Sequence, residues 1–498
     1  MSVLSQCRRL AVATSVALVA GAVAVPSSYA APAGSAPAAS TPSAKRLQDD
    51  FNGDGYPDVA VGAPLATVGS AYQAGAVSVL YGGPGGLSAT HKQVVTWPDR
   101  PGLVSASDSR YGTGLRSADL DGDGYADLVG RLWVATSDGD IGITLAVNWG
   151  SSSGLSKNAT VLKSVPGDQQ DATGDLAVGD VDGDRIPDIA VGDVRRGGHV
   201  LHGPLSRSGG YSRLSAFSVG SDPAVLDTSR LAVGDVTGDG TGDLVVLGFG
   251  PSDPWQQHTY LLAGGASGLG APVEIKDADG AGVGGTAVGV ADLDKDGHGD
   301  IVIGRADEWS QADTPVKKGG ALFVSYGGPQ GQSTGRKPVW INQDTAGVSG
   351  TAEFHDRMGD NLSFGDTNGD GYPDVATGLP GEKVTGTADA GRVLVLKGGP
   401  AGLSGAGSKE FGQYTAGVTG TVEQGDQFGE GATALGDYDG DGRAGLVVGD
   451  PSENGSRGAL WIFGSDATGI VATGAVSFGA ATLKAPTGPS RFSESLTD

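Results

Sequence analysis

The sequence predicts an all-β fold: a seven-bladed β-propeller of four-stranded antiparallel blades. Three observations lead there. One acidic nine-residue pattern occurs seven times, its copies 55 to 74 residues apart. A short apolar, β-branched run bounded by glycine follows the pattern, which reads as a buried strand rather than a helix. Each unit then offers further short extended stretches, about four strands in all. Units of this length with four strands are propeller blades, and their radial arrangement keeps sheet edges short and protected.

The first copy is Asp50-Phe51-Asn52-Gly53-Asp54-Gly55-Tyr56-Pro57-Asp58. Oxygen-bearing side chains stand at positions 1, 3, 5 and 9, and glycine at position 6 permits the sharp turn. Position 7 can add its backbone carbonyl. This donor set suits a hard cation, and Ca²⁺ accepts six to eight oxygens at roughly 2.3–2.6 Å where Mg²⁺ demands a stricter octahedron. The candidate ligands are Asp50, Asn52, Asp54, Tyr56 and Asp58, then Asp119, Asp121, Asp123, Tyr125 and Asp127. The third loop supplies Asp180, Asp182, Asp184, Ile186 and Asp188, and the fourth Asp235, Thr237, Asp239, Thr241 and Asp243. Asp292, Asp294, Asp296, His298 and Asp300 form the fifth, and Asp366, Asn368, Asp370, Tyr372 and Asp374 the sixth. The seventh offers Asp437, Asp439, Asp441 and Arg443. One such loop alone can be an Asx-type turn without metal; seven in register point to about five to seven Ca²⁺ sites. Two copies depart from the pattern. Arg185 stands at position 6 of the third, so it must turn left-handed or distort the loop, and Gly445 removes the position-9 carboxylate of the seventh. An EF-hand is excluded, because position 12 of the first loop is Val61 and no helix flanks it.

Composition agrees. Glycine is abundant, at 89 of 498 residues, as many tight turns require. The net charge of −24 is carried largely by the loops, and it argues against nucleic acid or an anionic membrane as partner. Residues 1–30 read as a signal peptide: Arg8 and Arg9, an apolar Leu10–Val25 core and a Ser28-Tyr29-Ala30 cleavage site. Residues 31–46 are an Ala/Pro/Ser-rich linker, and 47–498 the propeller. The sole cysteine, Cys7, leaves with the signal, so calcium is the available staple. No second apolar stretch can span a membrane. The expectation is a secreted, extracellular monomer.

Along the chain, a second landmark follows the loops: Gly75–Gly83, Gly198–Gly203, Gly320–Gly328, Gly391–Gly399 and Gly458–Gly464, each a strand ending in a glycine turn. A looser extended stretch such as Gln93–Trp97 comes next. A third landmark precedes several loops, at Arg110-Tyr111-Gly112, Arg357-Met358-Gly359 and Gln427-Phe428-Gly429. It is missing before the first loop and reappears near the C-terminus as Arg491-Phe492-Ser493. The C-terminal strand is therefore expected to complete the first blade and close the ring.

These residues resemble the FG-GAP repeats of the integrin α-subunit propeller and its bacterial secreted relatives. The name-giving pairs are Tyr111-Gly112, Met358-Gly359 and Phe428-Gly429; the triplets are Gly62-Ala63-Pro64, Gly378-Leu379-Pro380 and Gly449-Asp450-Pro451. The resemblance implies a seven-bladed propeller whose calcium ions are mainly structural. It does not identify a ligand.

Enzyme signals are weak, and no catalytic residue is assigned. Gly150–Gly154 and Gly331–Gly335 match G-x-S-x-G, but a nucleophile elbow needs a following helix. None of the six histidines forms a zinc pattern. The leading expectation is a binding or adhesion module for an extracellular protein or glycan. A polysaccharide-active propeller and a purely structural extracellular protein are the alternatives. Trp97, Trp255, Trp309 and Trp340 are candidates to stack on sugar rings, with blade packing as their competing role.

Overall fold

In the computed structural model, residues 47–97, 107–135, 141–163, 175–193, 197–219, 228–249, 257–306 and 317–497 are described. The signal and linker assignments, Trp255 and Trp309 lie outside them. After each acidic loop the apolar run forms a strand: Val59–Ala63, Asp127–Ala135, Asp188–Asp193, Asp243–Phe249, Asp300–Arg305, Asp374–Leu379 and Gly445–Asp450. Every residue of Val59–Ala63 and Asp300–Arg305 is buried, which explains runs that are apolar throughout rather than alternating. Each run is the second strand of an antiparallel sheet. Six sheets have four strands in sequence order, and the first has three. These are the seven blades. Fourth strands are the weakest element, shrinking to Thr160–Val161 and Val273–Glu274 but reaching eleven residues at Gly469–Gly479. The helices among the described residues are single turns, Glu453–Ser456 and Ala480–Leu483.

The hydrophobic core lies between blades, not within them. Seven buried clusters each combine residues of two adjacent blades. Val77 of the first blade packs with Leu115 and Leu128 of the second, and Val59, Val61 and Leu80 pack with Val447 and Leu460 of the seventh. No blade can bury its faces alone, so stability is collective. Trp97 is 4% exposed and tilts against Tyr111 at 5.9 Å, and Trp340 lies 4.9 Å from Phe323. Both tryptophans serve blade packing, not an open stacking surface.

The two name-giving motifs meet across blade boundaries. The pair residue Tyr111, Met358 or Phe428 forms a parallel bridge to Gly75, Gly320 or Gly391 of the preceding blade. The glycine after it faces the preceding blade's second strand: a Cβ on Gly62 would lie 2.0 Å from the Gly112 carbonyl oxygen, and one on Gly378 2.2 Å from that of Gly429. Only glycine permits this approach. At the seam Phe492-Ser493 takes the same place. A Cβ on Gly458 would lie 2.0 Å from the Phe492 carbonyl oxygen, and one on Gly449 2.4 Å from that of Ser493. Ser493 accepts the left-handed backbone of the glycines it replaces, at φ 72°. The tail then pairs with the first blade. Leu496 bridges Val61 antiparallel, the Gly62 amide donates to the Ser495 carbonyl at 2.8 Å, and the Thr497 amide donates to the Ala60 carbonyl at 3.1 Å. Residues 493–497 supply the missing first strand of the first blade, and the ring closes as expected.

Beneath the seam sits a buried acidic group. Asp450, Glu453 and Asp426 are 0%, 7% and 4% exposed. One Asp450 oxygen accepts from the Ser452 and Glu453 amides at 3.0 and 2.8 Å; the other has no partner. Gln413 Nε2 donates to Glu453 Oε2 at 3.0 Å. Burial, reinforced by neighbouring carboxylates, pushes Asp450 up to about 8 and Glu453 up to about 7. Because both values are raised, the stability they contribute is complete below the unfolded carboxylate range near 4 and is lost as pH climbs through 7 and 8.

Two outcomes follow for thermal melts. Removing residues 486–498 lowers Tm sharply, since it takes Phe492 and Leu496 from the seam core; a truncated protein that melts with the parent contradicts closure. Wild type melts lower at pH 9 than at pH 6, and Asp450→Asn raises Tm at both, by about a few degrees more at pH 9 than at pH 6.

Candidate metal centre: the ring of acidic loops

Each loop leads into the second strand of its blade, and six of them leave the first, so all seven lie at one end of the blades. Their backbones follow one plan. In the first loop Asp50 Oδ1 accepts from the Gly53 and Asp54 amides at 2.7 and 3.1 Å, and Oδ2 from Gly55 at 2.9 Å. The third, fourth and sixth loops repeat all three bonds from Asp180, Asp235 and Asp366. The position-5 carboxylate accepts the position-7 amide in all seven, for example Tyr56 to Asp54 and His298 to Asp296. Arg185 does not break the plan: it turns left-handed at φ 72° and donates to Asp180 Oδ2 at 2.6 Å.

The position-9 aspartate has a distinct task. Asp58, Asp127, Asp188, Asp243, Asp300 and Asp374 are at most 1% exposed. In each, Oδ2 accepts the amide of position 2 and Oδ1 accepts the amide of the glycine that ends the third strand. For Asp58 these donors are Phe51 and Gly82, both at 2.9 Å; for Asp300 they are Leu293 at 3.1 Å and Gly327 at 3.0 Å. Burial pushes Asp58 and Asp127 up to about 8 and Asp300 up to about 7, against the pull of those amides. The seventh loop lacks this bracket. There the ring of Tyr438, at position 2, packs toward Gly436 and Gly445 instead.

The loops also join neighbouring blades, a role the sequence pattern did not show. The position-2 carbonyl accepts an amide from the turn after the next blade's third strand. Ser151 donates to Phe51, Leu205 to Leu120, Gly265 to Val181, Gly328 to Val236 and Gly399 to Leu293; Gly83 donates to Tyr438 across the seam. The position-1 carbonyl accepts from position 8 of the next loop at Ala126, Gly242, Gly299 and Ala444. Elsewhere position 8 is Pro57, Pro187 or Pro373, which has no N–H to give. Position 7, assigned only a carbonyl from the sequence, uses its side chain too. The Tyr125 ring would meet a Cβ on Gly53 at 2.5 Å, and the Tyr56 ring one on Gly440 at 2.8 Å. Position 4 is therefore a second left-handed site, φ 72° at Gly53 and 58° at Lys295.

As a cation site the donor set fits. All side-chain donors are hard oxygens. Ligand atoms of Asp119, Asp121 and Asp127, of Asp180, Asp182 and Asp184, of Asp292, Asp294 and Asp300, and of Asp437, Asp439 and Asp441 gather within 4.8 Å of one another. Asp182 Oδ1 and Asp437 Oδ1 are buried without a hydrogen-bond partner, which fits oxygens that face a cation. In the first, fourth and sixth loops the carboxylates do not gather so closely. Basic side chains missed from the sequence enter the others: His202 and Arg213 lie 3.0 and 2.9 Å from Asp182, and Arg207 binds Asp121 and Asp123.

Comparison with known proteins rests on this geometry. A family model described as FG-GAP repeat matches residues 48–80 and 358–396, the first and sixth loops with their following strands. The chain carries FG-GAP repeats. It is similar to integrin alpha-PS5 of Drosophila melanogaster, 31% identical over 155 residues, which is 29% of this chain and 14% of the relative. Integrin alpha-5 of Xenopus laevis is 39% identical over 92 residues, 18% of this chain and 8% of the relative. Phosphatidylinositol-glycan-specific phospholipase D of Rattus norvegicus is 39% identical over 82 residues, 16% and 9%. The matches span under a sixth of each relative, so they bear on the FG-GAP propeller and not on those proteins' whole activities. Among the described residues, no helix is long and apolar enough to cross a membrane.

The position-9 bracket gives a direct comparison. In chelator, Asp300→Ala strands two buried amides and costs about 3 kcal/mol of unfolding free energy, whereas Asp296→Ala, half-exposed, costs about 1 kcal/mol or less. Urea melts of the two variants check the order; equal losses contradict it.

Proposed function

We propose that this FG-GAP propeller is a secreted, calcium-stabilised binding or adhesion module for an extracellular protein or glycan. The observation that carries the reading is the ring of all-oxygen acidic loops on a chain that carries FG-GAP repeats and is similar to integrin α chains. Bound calcium would supply positive charge among clustered carboxylates. Positions 1, 3, 5 and 9 of each loop would hold it, with the position-7 carbonyl. Its binding energy then becomes folding energy, which suits a chain whose blades depend on their neighbours and whose proposed mature form has no cysteine.

Ligand recognition belongs, in this reading, at the end opposite the loops. There the links between second and third strands, and between blades, expose Tyr72 at 59% and Phe354 at 63%. Aromatic rings on an accessible loop suit stacking on sugars or capture of a peptide. No catalytic role is proposed. The Ser151 hydroxyl of one G-x-S-x-G string donates to the Gly154 carbonyl at 2.8 Å, and the string sits in a turn with no helix after it.

Calcium is tested by melting Asp370→Asn. Asparagine keeps the oxygen that accepts the Tyr372 amide, so Tm falls in calcium and matches wild type in chelator; equal loss in both contradicts a metal ligand. Binding is tested on a glycan array and an extracellular-matrix protein panel, with calcium and with chelator. Calcium-dependent binding that Tyr72→Ala or Phe354→Ala weakens about tenfold supports the reading, and silence from folded protein on both contradicts it.

A further inference from the structure

The seven loops fall into two groups that two features divide in the same place. The first feature is position 3. It is neutral in the first, fourth and sixth loops, as Asn52, Thr237 and Asn368, and is aspartate in the second, third, fifth and seventh. The second is an arginine. Arg207 Nε and Nη2 lie 2.7 and 2.6 Å from Asp121 and Asp123. Arg213 Nη2 lies 2.9 Å from Asp182, Arg336 pairs with Asp294, and Arg443 pairs with Asp441. Among the described residues, the carboxylates of the other three loops have no arginine; Lys397 approaches Asp374 of the sixth at 3.8 Å from behind position 9. The gathering of ligand atoms within 4.8 Å follows from the first feature, since each gathered set in these loops includes the position-3 aspartate.

Charge explains the coincidence. Four carboxylates in one short loop repel strongly; the second, third and fifth loops carry four, and each has a guanidinium on the extra one at position 3, whereas the seventh carries three and Arg443 meets Asp441 at position 5. The guanidinium offers several donors in a rigid fork and draws two carboxylate groups together. These arginines are held in place. Arg207 reaches from the third blade to the second loop and lies 5.6 Å from the Trp149 ring centroid. Arg336 lies 3.4 Å over the Tyr326 ring, and its Nη2 donates to the Ala401 carbonyl of the next blade.

We infer that Arg207, Arg213 and Arg336 are positioning residues that hold the four carboxylates of the second, third and fifth loops in ligating shape without a cation. The ligating role rests on the calcium reading above; the arginine contacts do not.

Hydrogen exchange of the intact protein, followed by mass spectrometry, tests this. In chelator, Arg207→Gln speeds exchange of residues 119–127 about tenfold over wild type and leaves the other loops unchanged; Arg336→Gln does the same for 292–300 in an independent blade. Loops indifferent to both substitutions overturn the inference. Added calcium slows 119–127 of Arg207→Gln back toward the wild-type rate; if calcium alters no loop while both arginine effects hold, the calcium reading falls and the arginine role stands.

Discussion

The position-9 carboxylate is the constraint on which the ring depends. It is buried, and each oxygen is committed to an amide from a different part of the blade. One amide belongs to position 2 and the other to the glycine closing the third strand. The bracket thereby fixes the direction of the position-2 carbonyl, and that carbonyl is the acceptor for the next blade's turn. One side chain thus links strand order inside a blade to the angle between blades. Buried carboxylates are costly unless fully hydrogen-bonded, so the same residue is hard to replace. The seventh loop shows what replacement requires. With Gly445 at position 9, an aromatic at position 2 fills the space, and the Tyr438 carbonyl still reaches Gly83 at 2.9 Å.

The seam is made from ordinary repeat parts. Phe492-Ser493 does at the seventh junction what Phe428-Gly429 does at the sixth, and the following residues pair with Val61 as a first strand would. Nothing specialised is needed, because the core already lies at junctions and a seventh junction buries the same kind of surface as the other six. The cost of closing the longest loop in the chain is met by contacts that every neighbouring pair of blades makes.

Much of this was legible in the sequence. Oxygen spacing, β-branched runs and the displaced Arg491-Phe492-Ser493 landmark gave the blade count and the closure, because each rests on local geometry repeated in register. The two-residue fourth strands were not legible, since so short a pairing leaves no periodicity. Position 9 was read as a ligand like the rest; its amide partners lie 15 to 27 residues away, in a turn whose approach only the fold creates. The tryptophans were ambiguous for a similar reason: burial of Trp97 is decided by Tyr111 of the next blade.

The arginines were hidden most deeply, although a trace of them was present. Arg207 acts on a loop 84 to 86 residues earlier and Arg336 on one 42 residues earlier, so no motif window contains them. Yet position 3 alternates between aspartate and a neutral residue, and charge balance alone asks what pays for the fourth carboxylate. An unbraced loop with four carboxylates would be held open by repulsion until an ion arrived. A braced one presents its oxygens beforehand, at the expense of some net charge for the ion to meet. Degeneracy among repeats of one ring then follows charge: where position 3 is aspartate an arginine meets the loop, and where position 3 is neutral, among the described residues, none does.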